Sequence, residues 1–301
     1  MTVMFIQPTT LNEALAAKHE FGDSAAFLGG GTDLVVLINH GRMPAHTFID
    51  LSRIPRLDHI EQLERGRMAA DALTHELDAS AAYVCGAATT FARLARLPVR
   101  VLAEAARSVG GPQIRNRGTI AGNLATASPA GDGSTALLAL DARVEVRNVG
   151  ASRIIALRDF FLDYRRTALA ADEMIVRVAF PATWRSAWRK LGKRGAMNIS
   201  TVCCAVAVSG SGRVHVAFGS VGPCPLRAER TAAYLTDALS GQADAFADPA
   251  VQNRAAELAR SEVRPIDDFR ASADYRRAMS GALLVKVLRE LAGQDQPAGL
   301  R

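Results

Sequence analysis

The chain has 301 residues, 49% of them hydrophobic, enough to bury a sizeable core and long enough for two or three subdomains. Its 36 Lys and Arg exceed its 30 Asp and Glu by a formal charge of +6, but the cations, nearly all Arg, are scattered. This describes a solvated surface and argues against a nucleic-acid-binding tract. The four cysteines, Cys85, Cys203, Cys204 and Cys224, form no C-x-x-C pair, so buried reduced thiols are expected and a metal centre is not.

Residues 1–8 carry no basic stretch followed by an apolar core, so a cytoplasmic address is expected. Residues 10–20 place Leu11, Ala14 and Leu15 at helical spacing. A strand over 25–28 runs into Gly29-Gly30-Gly31, an apolar segment over 33–39 closes at Gly41, and a strand over 47–51 leads to a turn at Pro55. Beyond His59 a strand over 82–85 ends at Gly86, and a helix starts near Thr89 or Thr90 with Phe91, Leu94 and Ala95 on its buried face. A helix over 98–109 stops at Gly110-Gly111-Pro112, where glycines and proline end the backbone ladder, and a loop is expected to follow.

Helix 136–140 then passes into strand 143–147, residues 157–164 read as helical and 173–180 as a strand, with a boundary at Pro181. Residues 199–208 are apolar but too short to cross a bilayer and read as a buried strand, which points Cys203 and Cys204 to opposite faces. A strand over 214–220 precedes helices over 228–239, 251–260 and 275–291, with 241–249 as a connecting loop. Strands followed by helices imply a separate α+β unit, and no internal repeat is evident.

Two glycine-rich segments carry the functional signal. In Phe27-Leu28-Gly29-Gly30-Gly31-Thr32-Asp33-Leu34 an apolar strand meets three glycines, whose exposed N–H groups can cradle phosphate oxygens. A tight turn between strands would use the same glycines, and the run is not the G-x-G-x-x-G fingerprint. The second segment, residues 110–132, is longer than an ordinary turn and reads as a packed irregular loop, anchored by Ile114, Ile120 and Leu124. Its Thr119, Asn123, Thr126 and Ser128 suit phosphate or ribityl oxygens, and Asp132 suits a hydroxyl.

Together these segments resemble the FAD-binding subunit of the xanthine dehydrogenase and carbon monoxide dehydrogenase family of molybdenum hydroxylases. The resemblance spans nearly the whole chain. It rests on the first glycine loop, Gln113-Ile114-Arg115-Asn116, Gly118-Thr119-Ile120-Ala121-Gly122-Asn123 and Ala127-Ser128-Pro129-Ala130-Gly131-Asp132. Asp163-Tyr164-Arg165-Arg166-Thr167, Lys190-Leu191-Gly192-Lys193-Arg194 and Ser272-Ala273-Asp274-Tyr275-Arg276-Arg277 extend it. Ala121 departs from the pattern where the family often has a second glycine.

The resemblance implies an α+β chain: a two-subdomain FAD-binding fold of the vanillyl-alcohol-oxidase (PCMH) type over residues 1–55 and 56–180, then an α+β C-terminal domain of the carbon monoxide dehydrogenase flavoprotein type over 181–301. It implies noncovalent FAD held by Leu28, Gly29, Gly30, Gly31, Thr32, Asp33 and Leu34, and by Thr119, Gly122, Asn123, Thr126, Ser128 and Asp132, with Ile175 and Lys190 beside the flavin. The expected partners are a large subunit with the molybdenum cofactor, a small subunit with 2Fe–2S clusters, and an external electron acceptor. Some relatives carry a further four-iron cluster shortly after the second loop, but here Asp132 runs into Gly133-Ser134-Thr135-Ala136 without a cysteine, so flavin is the one redox centre expected.

Two other readings stand beside this one. A stand-alone flavin oxidase of the same fold would need a substrate pocket and ideally a base, and His40, His46, His59, His75 and His215 all lie outside the two loops. A scaffold that has lost its flavin would retain the fold without the loop chemistry.

Overall fold

The computed structural model describes residues 3–182, 184–195 and 197–293. Four sheets organise them. Met4–Ile6, Thr47–Asp50 and Ala25–Leu28 form a parallel sheet with Thr47–Asp50 in the middle. Helix Leu11–Phe21 covers it through Ala14, Leu15 and Ala17. That helix opens with a capping box between Thr10 and Glu13, and at its other end the buried Lys18 ammonium donates to the carbonyls of Gly22 and Ala25, each at 2.7 Å.

The second sheet is antiparallel, in the order Ile60–Glu64, Ala81–Gly86, Met174–Pro181, Arg143–Arg147, Ser152–Ala156. Its central strand serves two cores: Met174 and Val176 pack on the first sheet's cluster, whereas Ile175, Val178 and Phe180 enter the main one, the even-numbered positions changing face across the register shift between Ile175 and Arg177. The third sheet, Arg185–Leu191, Val202–Val208, Val214–Gly219 and Leu226–Arg227, is also antiparallel. A short hairpin, Phe161–Asp163 with Arg166–Thr167, completes the set.

Helices Arg100–Ser108 and Asp132–Ala139 lie between the second and third sheets, and both are buried in the main core. Helices Glu229–Gly241, Pro249–Glu262 and Ala273–Ala292 cover the other face of the third sheet. Strand Val202–Val208 is buried throughout because both its faces are covered. Cys203, Ala205 and Ala207 enter the core shared with the second sheet, while Cys204, Val206 and Val208 enter the C-terminal core. The two adjacent thiols therefore face opposite ways, as the alternation requires, and burial pushes that of Cys203 up to about 12.

The segment after Gly110-Gly111 departs from the expected irregular loop. Pro112–Arg117 and Ile120–Thr126 are short helices, joined at Gly118-Thr119. Pro112 supplies the preset φ of a first helical turn, and Thr119 caps the second helix by accepting the Gly122 N–H at 3.1 Å. Residues 157–164, expected to be helical, instead make one 3-10 turn, Leu157–Asp159, and the strand Phe161–Asp163. The apolar residues there serve the core without helical repetition: Leu157 and Phe160 are fully buried.

Among the described residues no helix is long and apolar enough to cross a membrane, and no group of three or more His, Cys, Asp or Glu is arranged to hold a metal ion.

Candidate functional site

The two glycine-rich segments meet. Phe91 donates its backbone N–H to the Gly118 carbonyl at 3.0 Å and Ile120 donates to Thr89 at 2.8 Å, which pins the second segment beside the helix Phe91–Leu94. Arg115 closes the preceding turn by donating to the Gly110 carbonyl at 2.9 Å. The first loop presses against this assembly so closely that a Cβ on Gly30 would lie 1.8 Å from the Arg117 carbonyl oxygen. Only glycine fits there. Gly31, at φ +75°, occupies the left-handed region that turns the chain into helix Leu34–Asn39.

Between the segments lies a cavity of about 660 Å³. Its wall contains Gly29, Gly30, Gly31, Thr32, Asp33, Leu34, Thr119, Gly122, Asn123 and Thr126, ten of the positions read from the sequence. Among the described residues, the backbone N–H groups of Gly30, Gly31 and Thr32 donate to no protein acceptor, so they are available to an anion. Asn123 uses its Oδ1 to accept from the Ser134 N–H and Oγ, each at 3.0 Å, which leaves its NH₂ group as the donor for a ligand. Thr126 donates to the Asp33 carboxylate at 3.3 Å across the two segments. The volume suits a small-molecule site, and the exposed loop backbone suits a dinucleotide diphosphate.

Leu28, Ser128, Asp132, Ile175 and Lys190 are not in this wall. Ile175 is buried in the main core. Asp132 sits behind the second segment, 5% exposed, and its oxygens are already engaged. Oδ2 accepts from Lys190 at 2.6 Å and from Ser108 at 2.9 Å, and Oδ1 accepts from Ser200. Lys190 also donates to the Asn198 carbonyl at 2.8 Å. This cluster links helix Asp132–Ala139 to the third sheet.

Other residues in the wall were not read from the sequence as cofactor contacts. Phe27, Leu37 and Phe91 supply its apolar part, and Arg165 supplies a cation from the hairpin turn. Ile114, expected to anchor the loop, is 39% exposed and lines the cavity, whereas Ile120 and Leu124 are fully buried. The later segment Ser272–Arg277 lies elsewhere. Ser272 caps helix Ala273–Ala292, and the buried Arg276 donates to the carbonyls of Thr201 and Ser220 at 2.8 and 3.1 Å and pairs with Asp268. No His lines the cavity; His215 is buried against Trp184 in the third sheet, with ring centroids 4.9 Å apart.

Residues 1–183 match the family model described as the FAD binding domain in molybdopterin dehydrogenase, and residues 187–291 match that of the CO dehydrogenase flavoprotein C-terminal domain. The chain is 32% identical to the carbon monoxide dehydrogenase medium chain of Hydrogenophaga pseudoflava, covering 93% of this chain and 94% of that one. It is 38% identical to the nicotinate dehydrogenase FAD-subunit of Eubacterium barkeri over 68% of each. Among solved structures, carbon monoxide dehydrogenase from Hydrogenophaga pseudoflava, in a form lacking the Mo-pyranopterin moiety of its cofactor, superposes with a TM-score of 0.84 at 29% identity, covering 98% of both chains.

Proposed function

The chain belongs to the family of FAD-binding domains of molybdopterin dehydrogenases, and from that premise we propose that it is the electron-transferring flavoprotein subunit of a molybdenum hydroxylase. In this reading it takes electrons from 2Fe–2S clusters of a small subunit, served by a large molybdenum subunit, and passes them to an external acceptor. The three units divide near 55/56 and 180/181.

The observation that carries the reading is the cavity between the two glycine segments, with free backbone N–H groups on one side and Thr119, Asn123 and Thr126 on the other. When bound, FAD supplies chemistry that joins one-electron donors to two-electron acceptors. Gly30, Gly31 and Thr32 hold its diphosphate, and Asn123 orients a polar oxygen through its NH₂ group. Asp132 is a positioning group: with Ser108 and Ser200 it fixes the Lys190 ammonium where the third sheet meets the second segment. Neither segment contains a His or Cys to tether the flavin.

The purified chain is expected to be yellow and to release FAD on acid or heat denaturation. Flavin that stays with the denatured chain contradicts noncovalent binding, and a colourless chain that takes up no added FAD favours the scaffold reading.

A further inference from the structure

The geometry points to Arg165 as a further binding residue of this site, pairing with the diphosphate of the bound dinucleotide. The inference rests on the flavin reading of the cavity. Arg165 and Asp33 are the charged side chains in the cavity wall. Backbone N–H groups solvate a diphosphate without neutralising it, and Asp33 adds a further negative charge beside it. A partly enclosed anion of that kind needs a cation, and a guanidinium fork matches two phosphate oxygens at once.

Among the described residues Arg165 has no hydrogen-bond or ion-pair partner. Two other arginines are engaged: Arg153 pairs with Glu173, and Arg115 donates to the Gly110 carbonyl. Arg165 has only the ring of its neighbour Tyr164, at 6.0 Å, and among the described residues no carboxylate lies within ion-pair distance. Its backbone is also unusual. At φ +53° it occupies the left-handed region at the tip of the hairpin Phe161–Asp163 and Arg166–Thr167, where Gly or Asn would sit with less strain. The turn is fixed by Tyr164, whose N–H donates to the Asp163 carboxylate at 2.7 Å. The hairpin thus presents a cation at the cavity from a conformation that an arginine does not favour.

The test titrates FAD and riboflavin into the full chain freed of flavin, as wild type, Arg165→Ala and Arg165→Lys. Arg165→Ala is expected to weaken FAD by about 10- to 100-fold at low salt, with riboflavin, which has no phosphate, unaffected. Arg165→Lys should recover part of the loss, and the thermal midpoint of the ligand-free chain should not move, because the side chain is exposed. Unchanged FAD affinity in Arg165→Ala overturns the inference, as does an equal loss of FAD and riboflavin. Unchanged FAD affinity with weakened binding of a nicotinamide dinucleotide also overturns it and reassigns the cation to an acceptor site. Failure of the wild type to bind FAD removes the flavin reading and this inference together.

Discussion

At the scale of single residues, Gly30 and Asn123 make the sharpest tests of the site. Gly30→Ala forces a methyl group to within 1.8 Å of the Arg117 carbonyl, so the two segments must separate. The expected cost is about 1–3 kcal/mol of stability, with a loss of FAD affinity, measured by thermal unfolding and flavin fluorescence titration. Unchanged affinity would show that their close approach does not build the site. Asn123→Ala leaves the Ser134 donors unpaired and should destabilise the chain by about 1–3 kcal/mol. Asn123→Asp keeps those acceptors but removes the NH₂ donor, so FAD binding should fall while the unfolding midpoint holds. If Asp at this position binds FAD normally, the amide is not a ligand contact. Gly30 was legible as a loop glycine, but its collision partner was not, since Arg117 is remote in sequence and offers only its backbone.

Between elements, two buried polar contacts decide how the sheets are held. The Lys190–Asp132 pair joins strand Arg185–Leu191 to helix Asp132–Ala139, with side chains 10% and 5% exposed. Lys190→Met leaves a buried carboxylate without its cation and should destabilise by about 3–5 kcal/mol, and adding Asp132→Asn should restore part of this in denaturant unfolding. No restoration would mean the pair is not coupled. His215 makes the second contact. Its Nδ1 accepts from Arg227 at 2.8 Å, and Arg227 in turn pairs with Asp141.

Burial, together with the Arg227 charge, holds the His215 imidazole down to about 4 from 6.5. The unfolded chain therefore takes up a proton that the folded chain refuses. Stability from this site is intact above about 6.5 and is lost as pH falls from there to about 4, on the order of 3 kcal/mol in all. Urea midpoints across that range should fall more steeply for wild type than for His215→Asn; parallel curves would refute the assignment.

For the whole molecule, the decisive expectation is that the isolated chain hydroxylates nothing and that its flavin is reduced by substrate only in complex with the molybdenum and iron–sulfur subunits. Anaerobic stopped-flow spectra check this, and rapid substrate-dependent bleaching in the chain alone would promote the direct-oxidase reading. Sequence by itself determined helix Leu11–Phe21, strands Ala25–Leu28 and Thr47–Asp50, the burial of strand Val202–Val208 and the two glycine-rich segments, because periodicity and backbone freedom are local properties. It also carried Thr119 as a cap, which could have revealed helix Ile120–Thr126, although a helix that short has too few residues to show a repeat.

Strand Arg185–Leu191 was hidden for a different reason: its arginines and lysine read as surface, and pairing with Val202–Val208 makes it a strand. Tertiary structure alone decided that Asp132 spends its oxygens on Ser108, Ser200 and a lysine 58 positions away, and that Arg165 reaches the cavity. The physical reason is that hydrogen-bond saturation and cavity shape depend on which distant segments pack together, and neither leaves a trace in local residue spacing.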